Sequence, residues 1–471
     1  MTGRAGRSIG GGFFILGAGE LVARIVAFAV SVYLSRTLGA EGFGIVSFAL
    51  AVMLYLQRTV GLELEGLGVH EAMNPAAGRE VITGLLLVRI VIALGLLLVT
   101  WLVAGWLLPG TDARVLSLYA VSLLALSLNV RWVHLVRRRN ETPAAARVVG
   151  EMSAALIVFL WIRGPQDVAL APLSLMVAEL LAAVLLLRRL ERPRLTKALG
   201  DAWRAAVPVV RRAFPLVLYS LLGLVTFNVD LLMVRVIWGA VDAGYYAAAY
   251  ALTSLLINLG IAYYANVIPL FARVRDEPTR IAVLYRTSLI PVLAAVLPAV
   301  VGGMIIGPRL VTLTFGQGYA PSMAPLRPLM IAAGLTVLRL IPLAVLVTTN
   351  RRGQALVVNA IGAALNIGLN LVLIPRYGIV GAAFSTLTTD AIRVAISAWL
   401  IRRAGVTPIQ FSWIWRWTVA TVVMAFPVWL LRDGAPWLSV PAGIALYSLT
   451  AFALGAVRRK EGGGWSLAGG D

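Results

Sequence analysis

Glu20 and Arg24 stand four residues apart inside the first long apolar run of this chain. On a helix that spacing puts both on one face. Either they neutralise each other, or they line a hydrated cavity in which Arg24 contacts an anionic ligand and Glu20 orients it or binds a proton. Arg339 lies between Leu338 and Leu340 with no acid within one helical turn, so its partner comes from another helix or from a ligand. Asp390 and Arg393, three apart, are a second internal pair or a second pair of site residues. Glu179 and Asp230 have no basic residue on their own helix face. A buried carboxylate without a cation tends to hold a proton. Both are therefore candidates for ion coupling, with Glu20 and Asp390 beside them, or else neutral acids hydrogen-bonded between helices.

Other polar residues of the apolar runs divide the same way. Asn359, Asn366 and Asn370 share a helix face, which suits either a cavity wall or interhelical hydrogen bonds. Arg58, beside Gln57, is read as a portal residue. Arg89, Arg131 and Glu151 lie near the ends of their runs, where long side chains reach the interface at little cost. Tyr245, Tyr246 and Tyr250 suit an interfacial belt or a surface for sugar stacking.

The elements that hold these residues follow from composition. The chain of 471 residues is 60% hydrophobic and 13% charged, with mean hydropathy +0.89. Apolar runs of about 20 residues recur from 13–34 to 439–457, each long enough to cross a hydrocarbon core of about 30 Å. Backbone groups cannot stay unpaired in lipid and the period-2 alternation of barrel strands is missing, so the runs are helices. The expectation is an all-α polytopic membrane protein of about 14 transmembrane helices. The first run is too long for a cleavable signal and turns at Gly39 into another span.

Assigning the connections alternately to two sides makes Lys and Arg roughly three times as frequent on the side of the N-terminus. Arg36, Arg114, Arg163, Arg235, Arg309, Arg327, Arg376 and Arg432 make up the opposite side. Both termini are thereby expected in the cytoplasm. The net charge of +20 becomes a topology signal with attraction to anionic lipid heads, and no nucleic-acid partner is expected.

An internal echo organises the spans. LGAEGFGIVSFALAVMLYL (Leu38 to Leu56) aligns without gaps with WGAVDAGYYAAAYALTSLL (Trp238 to Leu256), pairing Gly39 with Gly239 and Gly44 with Gly244. Arg36 and Arg235 precede the two turns. Glu179 and Asp390 form a second echo, each near the middle of the last helix of a six-helix set. The plan is two pseudo-symmetric six-helix lobes, 1–206 and 207–406, followed by two further helices and a tail, 407–471. Such repeats place a shared site between parallel lobes.

Several chemistries are excluded. The chain has no cysteine, and its two histidines, His70 and His134, lie far apart in sequence. Thiol chemistry and a metal cluster are not expected. No GxxxxGK[ST] phosphate loop is present, and the Gly-rich GRSIGGG (Gly6 to Gly12) lacks a Rossmann context. No resident cofactor is expected, only coupling to an H+ or Na+ gradient or to the membrane potential. No loop is long enough for a catalytic domain, so an enzyme, such as a membrane polymerase or ligase, is disfavoured.

The stretch NRRGQALVVNAIGAALNIGLNLVLIPRYGIVGAAFSTLTT (Asn350 to Thr389) resembles the C-terminal half of polysaccharide and O-antigen flippases of the multidrug/oligosaccharidyl-lipid/polysaccharide exporter superfamily. SRTLGAEGFGIVSFALAV (Ser35 to Val52) and GLELEGLGVHEA (Gly61 to Ala72) resemble it too, with His70 at the place the family usually gives to Arg. The resemblance implies two six-helix bundles around a cationic cavity. It implies movement of undecaprenyl-pyrophosphate-linked oligosaccharide across the bacterial cytoplasmic membrane by alternating access, for O-antigen, capsule or exopolysaccharide. Its implied partners are that lipid-linked substrate, membrane lipids and a polysaccharide polymerase or assembly machinery. No motif match supplies the site. By membrane depth and guanidinium chemistry Arg24 and Arg339 come first, then Arg58 and Arg393, with Asn366 and Asn370 on the wall. A lipid II flippase and a cation-coupled multidrug exporter of the same superfamily are the alternatives.

Overall fold

A computed structural model of the chain describes all residues except 1, 68, 70–76, 138, 191–198, 407–410, 435, 460–464 and 468–471. His70 and part of the Gly61-to-Ala72 motif fall outside these described residues. The chain is helical almost throughout. In order the helices are α1 (Thr2–Gly61), the short α2 (Leu64–Leu67), α3 (Ala77–Leu107), α4 (Gly110–Ser127), the short α5 (Arg131–Val136), α6 (Glu141–Trp161) and α7 (Ala171–Arg188). There follow α8 (Leu199–Trp238), α9 (Ala240–Arg273), α10 (Pro278–Phe315), α11 (Met323–Thr348), α12 (Arg352–Arg403), α13 (Phe411–Leu430) and α14 (Pro436–Ala453). Single 3₁₀ turns precede α7 and α11, and a small antiparallel hairpin pairs β1 (Val457–Arg459) with β2 (Trp465–Leu467).

Two helices are double. α1 breaks at Gly39 (φ 71°, ψ −178°) and α12 breaks at Gly378 (φ 57°, ψ −137°). Among the described residues 11 helical stretches are long and apolar enough to cross a membrane, and 414–430 is a shorter apolar helix. Counting both halves of α1 and of α12, the multi-spanning plan read from the apolar runs is the one observed. Gly239, between α8 and α9, has nearly the same backbone as Gly39 (φ 98°, ψ −177°). This combination is essentially restricted to glycine, because a Cβ clashes with the flanking peptide. The echo therefore has a local cause: both copies need a one-residue reversal between two spans.

The chain divides into two compact units, 1–228 and 229–471. The division falls inside α8, downstream of the expected boundary at 206. The first half of α8 belongs to the first unit, because Ala206, Val209, Ala213 and Val217 enter its core beside Leu85, Trp132 and Leu186. The core of the second unit gathers Phe271, Tyr285, Ile341 and Val345. α13 and α14 pack within the second unit, where Trp417 and Ala451 meet Ile290 of α10.

Candidate functional site

In the first unit the charges read from α1 are joined to α6. Arg24 Nε lies 3.2 Å from Glu20 Oε1, and Glu20 Oε2 lies 3.9 Å from Arg147 Nε. Arg147 Nη2 in turn lies 2.9 Å from Glu151 Oε1. Gly19 makes this approach feasible, since a Cβ there would already be 3.2 Å from the Cβ of Ala144. Glu20 is thus shared between two helices as well as paired within one. Glu179 of α7 belongs to the same region, beside Arg147, Asn129, Glu151 and Arg89. Its basic neighbours come from other helices, which a search of its own face could not find.

Arg58, in the last turn of α1, donates through Nη1 to Glu63 Oε1 at 2.9 Å, and its side chain is 51% exposed. The same carboxylate oxygen accepts from Ser220 Oγ of α8 at 2.6 Å. Leu62 and Glu63 are successive non-glycine residues with φ of 53° and 48°, a conformation that costs about 1–2 kcal/mol per residue. The neighbourhood fixes it. Arg89 is buried and donates to Val60 O at 3.0 Å, Asn129 O at 2.5 Å and Leu126 O at 2.6 Å. Arg89 therefore does not reach for an interface; it donates to carbonyls in the last turns of α1 and α4 and just beyond α4, where intrahelical donors run out. Arg131 lies 3.6 Å from Glu65.

In the second unit the polar residues of five spans converge. Asp230 of α8 is 1% exposed. One of its carboxylate oxygens, Oδ2, accepts a short hydrogen bond from the Tyr246 hydroxyl of α9 and a 3.1 Å bond from Thr386 Oγ1 of α12. The other, Oδ1, accepts from the Leu231 amide at 2.9 Å. Among the described residues no guanidinium bonds to Asp230. Asp390 differs. Its Oδ1 accepts from Arg393 Nη1 at 3.0 Å and its Oδ2 from Thr336 Oγ1 of α11 at 2.5 Å. Arg393 Nη2 reaches Asn359 Oδ1 at 2.7 Å, and the Arg393 side chain is 1% exposed. Gly362 leaves room for it, since a Cβ there would lie 2.5 Å from Arg393 Cδ. Arg339 is also buried, at 3% exposure.

The two halves of α12 fold back on each other about Gly378. A Cβ on Gly381 would meet Leu373 O, and one on Gly362 would meet Arg393. That register sets Asn366 level with Thr389, and Asn370 level with Ser385. All four are fully buried. Asn370 Nδ2 donates to Asn366 Oδ1 at 3.0 Å. Asn366 Nδ2, Asn370 Oδ1, Ser385 Oγ and Thr389 Oγ1 have no hydrogen-bond partner among the described residues. Four open polar atoms gathered in one buried stretch of α12 are unusual, because buried polar groups are otherwise almost always paired.

Sequence reasoning missed Tyr246 as the partner of Asp230, Thr336 and Thr386 as donors to the two acids, and Arg147 as the partner of Glu20. The signal for Thr386 was its position four residues before Asp390, on the same face. Tyr245 packs edge-on to Tyr319 with ring centroids 6.0 Å apart, and Tyr250 stacks on Tyr246 at 6.4 Å.

Comparison with known proteins agrees with this architecture. The family model described as polysaccharide biosynthesis protein matches residues 9–275. A probable low-salt glycan biosynthesis flippase, Agl15 of Haloferax volcanii, is 26% identical over 187 residues; the match covers 39% of this chain and 39% of that relative. Among solved structures, the lipid II flippase MurJ in an inward closed conformation superposes with a TM-score of 0.79 at 12% identity, covering 93% of this chain and 98% of that one. An inward-facing MATE-family multidrug resistance transporter of the MOP superfamily gives 0.64 at 15% identity, covering 81% and 94%. The likeness to these structures is one of fold, and the family match spans more than half of the chain: the protein belongs to the polysaccharide biosynthesis protein family and is a multi-pass membrane protein with the fold of the MOP exporters.

Proposed function

We propose that this protein is a flippase that carries undecaprenyl-pyrophosphate-linked oligosaccharide across the cytoplasmic membrane by alternating access, with both termini on the cytoplasmic side. The product feeds a surface polysaccharide such as O-antigen, capsule or exopolysaccharide, and a polymerase or assembly machinery takes it up. The observation that carries this reading is the set of half-exposed guanidiniums of the first unit, Arg24, Arg58 and Arg147. Charges at such positions avoid hydrocarbon, so their exposed faces meet water or a ligand. Guanidinium groups bind the oxygens of a pyrophosphate in pairs. Arg339 is kept as a headgroup residue on its position in the tenth span. Arg393 is held by Asp390 and Asn359, so a role for it in substrate binding requires that this pair open.

Asp230, with Tyr246 and Thr386 donating to it, is the residue we assign to the coupling ion, H+ or Na+. Asp390 already has a cation in Arg393. The function is transport rather than catalysis, a reading supported by the family and by the flippase and transporter relatives.

A second reading, lipid II as substrate, is favoured by the likeness to MurJ over nearly the whole chain. Complementation separates the two. Expression in a strain lacking its O-antigen flippase should restore surface polysaccharide. Rescue of a strain depleted of its lipid II flippase, without rescue of the first strain, would replace the first reading by the second.

A further inference from the structure

The chain Arg24–Glu20–Arg147–Glu151 alternates sign and crosses from α1 to α6. Its links are unequal. Arg147 and Glu151 are one turn apart on the same helix, 2.9 Å from each other, and Glu151 is 19% exposed. Glu20 is held by two longer contacts, 3.2 Å to Arg24 and 3.9 Å to Arg147, and is 35% exposed. Arg147 Nε is buried and makes no hydrogen bond among the described residues. The loosest member of the chain is therefore the carboxylate that bridges the two guanidiniums.

We infer that Glu20 is a displaceable counter-ion, and that a phosphate-bearing anion entering between Arg24 and Arg147 expels it and makes it take up one proton from solvent. This inference rests on the flippase reading, because it presumes a substrate with a phosphate headgroup. The anion offers both guanidiniums phosphate oxygens where they now meet the Glu20 carboxylate, and it completes the open Arg147 Nε. Glu20, deprived of both cations, is left beside Glu151 and within the same region as Glu179. Arg89 is also in that region, but each of its three guanidinium nitrogens already donates to a backbone carbonyl. An unpaired carboxylate among carboxylates resolves its charge by protonation. One O–H bond forms on Glu20, and the proton comes from water or buffer. Loading of the headgroup thus brings a proton into the first unit, separate from the Asp230 site.

The test uses the full-length protein in phosphatidylcholine nanodiscs with geranyl pyrophosphate as probe. Calorimetric titration in Hepes and in Tris at one pH gives the protons taken up per ligand bound. The ligand's own protonation is common to all variants and cancels on comparison. The expected result is about one proton fewer for Glu20→Gln than for the unmodified protein, with binding retained. Glu151→Gln should leave the count unchanged, and Arg147→Ala should weaken binding by at least about tenfold. Equal proton counts for the unmodified protein and Glu20→Gln, with binding intact, would overturn the inference and leave the flippase reading standing. Absence of binding to the unmodified protein would overturn the headgroup reading and this inference together. Should Glu20→Gln fail to fold, Glu20→Asp, whose shorter side chain cannot bridge both guanidiniums, should show a reduced proton count; an unchanged count overturns the inference equally.

Discussion

Tyr246 donates its phenolic hydroxyl to Asp230, sixteen residues away across the turn at Gly239. The bond ties α8 to α9 in the interior of the second unit, and Thr386 donates to the same carboxylate oxygen from α12. An acid held by two hydroxyls and one backbone amide, all neutral donors, keeps its charge available to a small cation. If Asp230 carries the coupling ion, Asp230→Asn should abolish stimulation of transport by the ion gradient. Tyr246→Phe should retain stimulation but raise the half-maximal ion concentration. A hydrogen bond in this setting contributes roughly 0.6–2 kcal/mol, which corresponds to about 3- to 30-fold. Flux measured against Na+ concentration and against pH distinguishes these outcomes.

Gly39 and Gly239 should tolerate no side chain. Alanine at either position adopts a backbone region that costs about 1–3 kcal/mol. Both Gly39→Ala and Gly239→Ala should lower the melting temperature of the detergent-solubilised protein. Gly95 is the control: it lies within α3, and a Cβ there meets nothing within 4 Å. Gly95→Ala should be neutral or stabilising, by up to about 1 kcal/mol.

Arg89 and Arg58 should separate stability from function. Removing Arg89 takes a donor from three carbonyls, of which Leu126 O keeps the Asn129 amide. Arg89→Met should cost about 3 kcal/mol or more, and Arg89→Lys should not rescue it, because one ammonium cannot match a planar fork. Arg58→Ala removes a half-exposed pair worth at most about 1 kcal/mol, so it should melt normally yet lose export. Thermal unfolding and a surface-polysaccharide assay on the same variants provide the check.

Asp390 and Arg393 should behave as a unit. Asp390→Ala leaves a buried guanidinium without its carboxylate, at a cost of about 3–5 kcal/mol. The double variant Asp390→Leu with Arg393→Met should be closer to the unmodified protein than either single change. A double-mutant cycle on melting temperature measures the difference.

Much of the fold is legible in the sequence because lipid admits few solutions. Each apolar run of sufficient length has to be a helix, and the helices observed coincide with the runs. The echo at Gly39 and Gly239 is legible because a shared backbone conformation forces a shared residue type. The site is less so. Periodicity assigns a residue to a face of its own helix and says nothing of what that face meets. Glu20 and Arg24 were found as a pair, but Arg147 was not, because it comes from α6. Arg89 reads as a snorkelling residue because it lies near the start of its run, whereas the carbonyls it meets belong to α1, to the end of α4 and to the segment after it. Tyr246 looked like part of an interfacial belt because Tyr245 and Tyr250 flank it, and only packing turns it towards Asp230.

The central claim is that this protein moves a pyrophosphate-linked glycan lipid and grips it through arginines. Its most direct measurement is flipping in proteoliposomes with a fluorescent undecaprenyl-pyrophosphate oligosaccharide, read as loss of label to an impermeant quencher. The account predicts rapid exchange between leaflets with the unmodified protein. It predicts a rate no higher than that of empty vesicles with Arg24→Ala or Arg339→Ala, each verified as folded. Exchange by both variants at the unmodified rate, or none by the unmodified protein under an imposed ion gradient, would contradict it.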